Sequence, residues 1–270
     1  MAELTDHQLE RYARHVILDE IGEDGQLRLL QAKVLVVGAG GLGAPMALYL
    51  AGAGIGTIGL IDDDTVDLSN LQRQVIHGHA DLDRPKVASA ADGLRRLNPE
   101  IDIVLHEEKL TAQNAAAMIG RYDLIADGSD NFRTRYLLND LCFAAGKTLV
   151  SAAVIRFDGQ LSTYKAHLGA PHPCYRCLFP EEPPADLIPR CETAGVLGPV
   201  AGVMGTLQAT EVVKELLGLG TSLSGQLLIY DALDTTFRKI RIKRDPECKI
   251  CGATESHAAP ILPSSEPRKG

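Results

Sequence analysis

The segment Val34–Pro45, VLVVGAGGLGAP, decides the fold of this chain. Its first four residues are apolar and predict a buried strand, and the glycines after them predict a tight turn that leads into a helix over 42–54. A further apolar stretch, Thr57–Ile61, predicts a second strand parallel to the first. Together these elements form a β-α-β unit of the nucleotide-binding type.

The same unit explains a run that could be mistaken for a membrane span. The 28 residues between Lys33 and Asp62 carry no charge, a length that is sufficient to cross a bilayer. Eight of them are glycines, however, and Pro45 lies inside the run. A β-α-β unit that is buried on both faces also needs no charges, so we expect no transmembrane segment.

Strands and helices continue to alternate after this unit. Apolar stretches predict strands over 101–105, 122–127 and 148–154, and helices are predicted over 84–97 and 132–145. The alternation predicts an α/β protein with a Rossmann-like, mostly parallel sheet and helices on both of its faces.

Before the unit, residues 5–18 predict one short helix. Thr5 and Gln8 form the T-x-x-Q pattern of a capping box at its start. On a continuous helix Arg11 and Arg14 would share one face.

After residue 150 the pattern changes to antiparallel strands. Two strands are predicted to meet in a hairpin at Asp158-Gly159, and QLLIYD (226–231) and FRKIRIK (237–243) predict closing strands. The proline-rich segment 180–189 predicts a mobile loop. The uncharged run 193–210 predicts a buried helix or a helix at a subunit contact.

Composition restricts the classes of function. The 270 residues are 45% hydrophobic and 23% charged, with a net charge of −8, which argues against a general nucleic-acid or membrane-surface binder. The polar N-terminus lacks the features of a secretory signal. Six cysteines without such a signal indicate the reducing cytoplasm, where cysteines bind metal or do chemistry more often than they form disulfides.

The glycine-rich turn predicts a nucleotide site. Its glycines let the backbone approach phosphate groups at a helix N-terminus. They are Gly38, Gly40, Gly41 and Gly43. Asp62 ends the second strand, where a carboxylate binds a ribose hydroxyl. This fingerprint alone leaves open whether the nucleotide is ATP or a dinucleotide, or whether the turn serves packing only.

Polar residues soon after the second strand favour ATP. Asn70, Arg73 and Lys86 lie in the segments DLSNLQRQ and DRPKVAS. A departing pyrophosphate needs cationic partners as its bond breaks, and Arg73 and Lys86 fit that task. Taken singly, each is more often a solvated surface residue, so the prediction depends on the group.

The segment Asp127–Asn131 follows an apolar strand, at the end of the sheet where α/β proteins bind ligands. Asp130 could hold a Mg²⁺ ion that bridges phosphates, with Asn131 helping through its amide. The alternative is a helix N-cap, because Asp and Asn are good caps and a helix follows. We favour the cap role for Asp127 and allow both roles for Asp130.

The cysteines predict a metal site. Two C-x-x-C pairs, Cys174 with Cys177 and Cys248 with Cys251, supply the four thiolates of a closed, structural Zn²⁺ site. A redox pair is the alternative, but it needs only one C-x-x-C. Of the two remaining cysteines, Cys142 lies among apolar helix residues and is expected to be inert. Cys191 follows the proline-rich loop and is either a nucleophile or a chance loop residue.

Together these segments resemble the bacterial activating enzymes for ubiquitin-like sulfur carriers, of the molybdopterin-synthase and thiamine-pathway types. The resemblance covers nearly all of residues 5–252. It is carried by RYARHVIL (11–18), VLVVGAGGLGAP (34–45), DDDTVDLSNLQRQ (62–74), RPK (84–86), SDN (129–131), CYRC (174–177), CETAGVLGP (191–199) and CKIC (248–251).

The resemblance implies a homodimer with an adenylation site in each subunit. It assigns to ATP the residues Gly41, Asp62, Asn70, Arg73, Lys86, Asp130 and Asn131, and it assigns the four paired cysteines to zinc. It places Arg14 at the phosphates of the neighbouring subunit and connects Cys191 with a thioester or acyl-disulfide step. The domains expected are a helical segment over 1–32, a single adenylation domain over 33–252 with a nucleotide-binding part (33–150) and a carrier-binding and zinc part (151–252), and a disordered tail over 253–270.

The expected function is ATP-dependent adenylylation of the Gly-Gly carboxylate of a small sulfur-carrier protein, with the molybdopterin-type carrier favoured over the thiamine-pathway one. Related forms with a fused rhodanese domain extend well past the second cysteine pair, whereas this chain stops 19 residues after Cys251. We therefore expect sulfur to come from a separate donor such as a cysteine desulfurase or a rhodanese. The chain ends in Lys-Gly, as expected of the activator rather than the carrier. The alternatives are a nicotinamide-dependent oxidoreductase and a nucleotide-sensing scaffold.

Overall fold

The sheet organises the fold. A computed structural model describes residues 3–183 and 194–252. Its strands are β1 (Lys33–Val37), β2 (Thr57–Ile61), β3 (Asp102–His106), β4 (Leu124–Asp127), β5 (Thr148–Ile155), β6 (Asp158–Tyr164), β7 (Gln226–Asp231) and β8 (Thr236–Arg241), in the spatial order β3-β2-β1-β4-β5-β6-β7-β8. Strands β1 to β5 pair in parallel and β5 to β8 pair antiparallel. The predicted parallel sheet with an antiparallel extension is confirmed.

Helices cover both faces of this sheet. They are α1 (Asp6–Arg11), α2 (Ala13–Val16), α3 (Gly22–Gln31), α4 (Gly43–Ala53), α5 (Lys86–Leu97), α6 (Ala115–Ile119), α7 (Phe132–Ala144), α8 (Tyr175–Leu178) and α9 (Gly198–Leu217), with short 3₁₀ turns at Leu68–Asn70, His79–Asp81 and Ala166–Leu168. Among the described residues, no helix combines the length and the apolar character that crossing a bilayer requires.

The side chains of β1 show how the two faces are built. Val34 and Val36 pack with residues of α3, α4, α5 and α9 on one face, and Leu35 and Val37 pack with residues of α6, α7 and α8 on the other. A strand that is covered on both faces needs apolar residues at every position, which explains the uncharged VLVV.

Residues 198–210 of the second uncharged run lie in α9, which agrees with the predicted buried helix. The helix packs against α4, β5 and β6, and a side chain at Gly205 would come within 2.5 Å of the Leu42 carbonyl oxygen. The small residues therefore let two helices approach closely.

Two local predictions are wrong. The first helix stops at Tyr12, because the buried Tyr12 ring turns inward and its hydroxyl accepts a hydrogen bond from Asn98 Nδ2 at 2.9 Å. Arg11 and Arg14 therefore lie on separate short helices, α1 and α2. The capping box between Thr5 and Gln8 is present.

The second wrong prediction is the position of the hairpin turn. Ile155 pairs with Asp158, so Arg156 and Phe157 form the turn and Asp158 already belongs to β6. Arg156 adopts a φ of 53°, and its backbone exchanges hydrogen bonds with the segment 195–197. Gly159 is required inside the strand instead, because an added side chain would meet Met204 at 2.4 Å.

Candidate active site

A cavity of about 570 Å³ lies at the carboxyl ends of β1, β2 and β4, where the strand order reverses between β1 and β4. Open α/β sheets bind their ligands at this switch point, and the volume is in the range of small-molecule sites. We call it the nucleotide cavity. Most of the residues predicted for the site line it, namely Gly38, Gly40, Gly41, Asp62, Asn70, Arg73, Lys86, Asp130 and Asn131.

The glycine-rich turn forms one wall of this cavity. Gly38 has a φ of 89°, which favours glycine, and a side chain at Gly43 would come within 1.8 Å of the Gly38 carbonyl oxygen. Gly43 is absent from the lining and serves to pack the turn. A side chain at Gly40 would meet only Gln74 Nε2, at 3.8 Å. The bare backbone of Gly40 is therefore open to a ligand, at the N-terminal end of α4, where the helix dipole favours a phosphate.

Asp62 is fixed at the end of β2. Its carboxylate accepts hydrogen bonds from the backbone N–H groups of Ala39 at 2.8 Å and Asp64 at 2.9 Å. Burial raises the pKa of this carboxyl group, while the charge of Lys86 and the two N–H donors oppose that rise. The hydrogen bond to Ala39 holds the second strand and the glycine-rich turn together at the cavity.

Three further predicted residues also line the cavity. Lys86 Nζ is buried and lies 2.8 Å from Asp64 Oδ2. Arg73 donates to the carbonyl oxygen of Ser69 at 3.0 Å, and Asn70 accepts from the backbone N–H of Asp67 at 3.3 Å. Arg73 and Asn70 are thus held by neighbours within four residues, whereas Lys86 is held by Asp64, 22 residues earlier in the chain.

The segment after β4 corrects one prediction. Asp127 does not cap a helix: it is fully buried and accepts hydrogen bonds from the hydroxyl groups of Ser129 at 2.6 Å and Ser151 at 2.7 Å. The N-cap of α7 is Asn131, whose side chain accepts from the backbone N–H of Thr134 at 2.9 Å. Asp130 makes neither kind of contact and is exposed in the cavity.

Among the described residues, acidic side chains outnumber basic ones around the cavity. The acids are Asp62, Asp63, Asp64, Asp67, Glu108 and Asp130, and the bases are Arg73, Lys86, Lys109 and Arg135. A polyphosphate would meet net repulsion in such a lining unless a divalent cation bound with it. Carboxylate oxygens are the ligands that Mg²⁺ prefers, so the lining fits a magnesium-bound nucleotide.

Sequence reasoning missed a buried histidine behind the glycine-rich turn. His77 Nε2 lies 3.1 Å from the Ala39 carbonyl oxygen, and His77 Nδ1 lies 2.8 Å from the Ser89 hydroxyl group. A neutral ring satisfies both contacts by donating to Ala39 and accepting from Ser89. Burial lowers the pKa of His77. The residue therefore joins the turn to α5, and a lone histidine in HGHADL gave no signal for this role.

We predict that His77 makes stability depend on pH. Because the folded protein holds the ring neutral, the unfolded chain binds the proton first as the pH falls below about 6.5, and stability decreases from there downward. Each unit of difference in pKa is worth about 1.4 kcal/mol. Urea unfolding at about pH 7.5 and about pH 5.5 should show a smaller loss of stability in His77→Gln than in the unchanged protein.

The matched control for that measurement is His79→Gln, which removes an exposed imidazole two positions away. It should leave the pH dependence unchanged. Burial also lowers the pKa values of His106, His167 and His172, so some dependence remains in every variant. Equal losses of stability on acidification in His77→Gln and in the unchanged protein would show that His77 does not contribute to the pH dependence.

The two C-x-x-C pairs meet in space. All four Sγ atoms lie within 4.8 Å of one another, with distances of 3.9 Å between Cys174 and Cys177, 3.5 Å between Cys174 and Cys248, and 3.3 Å between Cys177 and Cys251. A tetrahedral Zn²⁺ ion with Zn–S bonds of about 2.3 Å places its sulfurs about 3.8 Å apart. The sulfur cluster therefore fits zinc, and it ties the end of the chain's described part to α8.

The other predicted residues lie elsewhere. Arg14 is exposed on α2 and does not line the nucleotide cavity. Cys142 lies on α7 and is buried, as expected, and burial raises the pKa of its thiol, which disfavours the reactive thiolate. Cys191, most of the predicted loop 180–189 and the predicted tail 253–270 lie outside the described residues.

The chain belongs to the ThiF family, whose sequence profile matches residues 12–250. It is 52% identical over 252 residues to adenylyltransferase and sulfurtransferase MOCS3 of Sus scrofa, covering 93% of this chain and 55% of the relative. It thus spans about half the length of that relative. The resemblance drawn from the motifs is confirmed.

Two relatives match over nearly their whole length. The SAMP-activating enzyme E1 of Haloferax volcanii is 49% identical, with 91% of this chain and 89% of the relative covered. The sulfur carrier protein adenylyltransferase of Thermus thermophilus is 46% identical, with 92% of each covered. The fold is shared with a solved structure of Escherichia coli MccB with MccA-N7isoASN, at a TM-score of 0.79 and 22% identity over 93% of this chain and 77% of that one.

Proposed function

We propose that this chain is an ATP-dependent adenylyltransferase that activates the C-terminal carboxylate of a small ubiquitin-like sulfur carrier. The observation that carries the proposal is the nucleotide cavity, which brings Arg73, Lys86 and Asp130 together with the glycine-rich turn and Asp62. The names of the relatives from H. volcanii and T. thermophilus support the same activity. The similarity to MOCS3 favours a molybdopterin-type carrier over a thiamine-pathway one.

The residues of the cavity have different roles in the reaction. The terminal glycine carboxylate of the carrier attacks the α-phosphorus of ATP. The bond between this phosphorus and the oxygen that bridges to the β-phosphorus breaks, and an acyl-adenylate and pyrophosphate result. Asp62 binds the ribose, and Asn70 and Asn131 position the phosphates. Arg73 and Lys86 stabilise the charge that develops on the departing pyrophosphate.

Asp130 would hold the magnesium ion. When bound, Mg²⁺ neutralises phosphate charge and orients the phosphoryl oxygens. Asp130 suits this role because its carboxylate is exposed in the cavity, whereas Asp127 is occupied by two serine hydroxyl groups.

A second subunit and a covalent step complete the proposal. Large exposed apolar side chains such as Tyr49, Leu68 and Val75 are available to the homodimer contact, through which Arg14 would reach the neighbouring phosphates. The Cys191 thiolate would displace AMP from the acyl-adenylate to give a thioester. Alternatively, a persulfide formed on Cys191 with sulfane sulfur from a cysteine desulfurase or a rhodanese would displace AMP and hold the carrier as an acyl disulfide. Val196, which lines the cavity, follows Cys191 closely in the sequence. The cysteine usage favours the cytoplasm as the location of this chemistry.

The test of this proposal is carrier-dependent exchange of labelled pyrophosphate into ATP. Purified molybdopterin-pathway and thiamine-pathway carriers ending in Gly-Gly are offered separately, with each carrier lacking its last glycine as the control. We expect magnesium-dependent exchange with the molybdopterin-type carrier and none with the truncated forms. Tight ATP binding without exchange would favour a nucleotide-sensing scaffold, and reduction of NAD by an alcohol would favour an oxidoreductase.

A further inference from the structure

A second cavity, of about 560 Å³, lies at the far edge of the sheet, among residues separate from those of the nucleotide cavity. Three segments line it, namely Ala170 with Pro171, residues 224–226, and Lys239 with residues 241–244. We call it the basic cleft. Its described lining contains four basic side chains and no acidic one.

Three of these cations form a row along one face of β8 and its continuation. Side chains of a strand alternate between faces, so Lys239, Arg241 and Lys243 point to the same side at intervals of about 6.6 Å. The register places Arg241 opposite Gln226, which also lines the cleft. Arg238 has the same charge but lies on the other face of the strand.

The row carries charge that its surroundings do not neutralise. Within residues 3–183 and 194–252, the side chains of Lys239, Arg241 and Lys243 are exposed and take part in no ion pair. This contrasts with the net charge of −8 on the whole chain. Arg244 differs, because its guanidinium donates to the carbonyl oxygens of Ala166 and Cys251 and so fixes the cleft wall to the sulfur cluster.

Strand β8 also has an outer edge with which no other strand of the described residues pairs. It is the last strand in the sheet order, it pairs with β7, and all six of its residues are exposed. An extended peptide can add to such an edge through main-chain hydrogen bonds, with pockets for alternate side chains giving the specificity. Two copies of this edge would bring rows of like charge together, which opposes self-association and favours an acidic partner.

We propose that the basic cleft binds an extended acidic segment of a partner protein, which adds to β8 as a further strand. Its alternate carboxylates repeat at about the same 6.6 Å interval and lie against Lys239, Arg241 and Lys243. Main-chain pairing favours a peptide over a nucleic acid, which could use the charges but not the backbone of β8. The site does not depend on adenylation.

The probe is a fluorescein-labelled heptapeptide that alternates threonine with glutamate, and its binding is followed by fluorescence anisotropy. The full chain should bind it with an affinity that falls as salt rises. Arg241→Glu should weaken binding by at least about tenfold, since it sets like charge against the peptide. Arg238→Glu is the matched control, with the same change of charge on the opposite face, and should change binding little.

Two comparison ligands decide between kinds of partner. A peptide with glutamine in place of glutamate tests the need for charge, and a single-stranded oligouridylate of equal charge tests for nucleic acid. Equal binding of the glutamine peptide, tighter binding of the oligonucleotide, or equal loss in the two variants would each overturn the proposal. ATP binding should persist in both variants, because neither residue lines the nucleotide cavity. Absence of carrier-dependent exchange from the unchanged protein would contradict only the adenylyltransferase proposal.

Discussion

Replacing Asp130 by alanine is expected to reduce carrier-dependent ATP–pyrophosphate exchange by about 10²–10³-fold. The carboxylate is exposed in the nucleotide cavity, with no helix cap or serine contact to occupy it. Without it, the excess of acidic residues around the cavity would repel the triphosphate that the magnesium ion otherwise neutralises. Exchange of labelled pyrophosphate at saturating ATP and carrier measures the effect.

Two further variants sharpen that experiment. Asp130→Asn keeps the shape of the side chain but removes its charge, and we expect it to lose nearly as much exchange as Asp130→Ala. Asp102→Ala makes the same charge change at an exposed position at the amino end of β3, away from the cavity, and should keep full exchange. Exchange within a few-fold of normal in Asp130→Ala would remove Asp130 from the mechanism.

Local patterns predicted the elements that a few neighbouring residues determine. The strand–turn–helix of Val34–Pro45 is of this kind, because the apolar strand, the glycines and the helix follow one another without a break. The positions of the predicted cavity residues also follow from topology, since parallel strands bring their carboxyl ends to one edge. The two cysteine pairs were predicted as one site because four thiolates complete a zinc tetrahedron and two cannot.

Predictions that depended on distant packing were wrong or incomplete. Asp127 looked like a cap, but Ser151 on the neighbouring strand takes up its carboxylate. Asp158-Gly159 looked like a turn, but Met204 on α9 requires the glycine inside β6. Helix α6 was missed, since AAAMI spans little more than one turn, and α3 was covered only by the general expectation of a helical segment over 1–32.

Replacing Cys251 by serine is expected to abolish the binding of one zinc ion per chain and to lower the melting temperature. The buried Cys251 thiol closes a cluster whose other members come from the distant segment 174–177 and from Cys248. Loss of a structural metal belongs to the severe class of mutation, about 3 kcal/mol or more, which is roughly 6–12 °C for a domain of this size. Metal analysis and thermal unfolding of the same preparations measure both effects.

The matched control is Cys142→Ala, which removes a buried thiol outside the cluster and should keep the full zinc content. Because Arg244 joins the carbonyl oxygen of Cys251 to that of Ala166, the Cys251→Ser variant should also loosen the basic cleft and weaken binding of the glutamate peptide. Exchange should suffer less than stability, since no cluster cysteine lines the nucleotide cavity. If the unchanged protein folds without zinc, the metal site is contradicted. If Cys251→Ser loses exchange while it keeps its melting temperature, the cluster acts in the chemistry rather than in the fold.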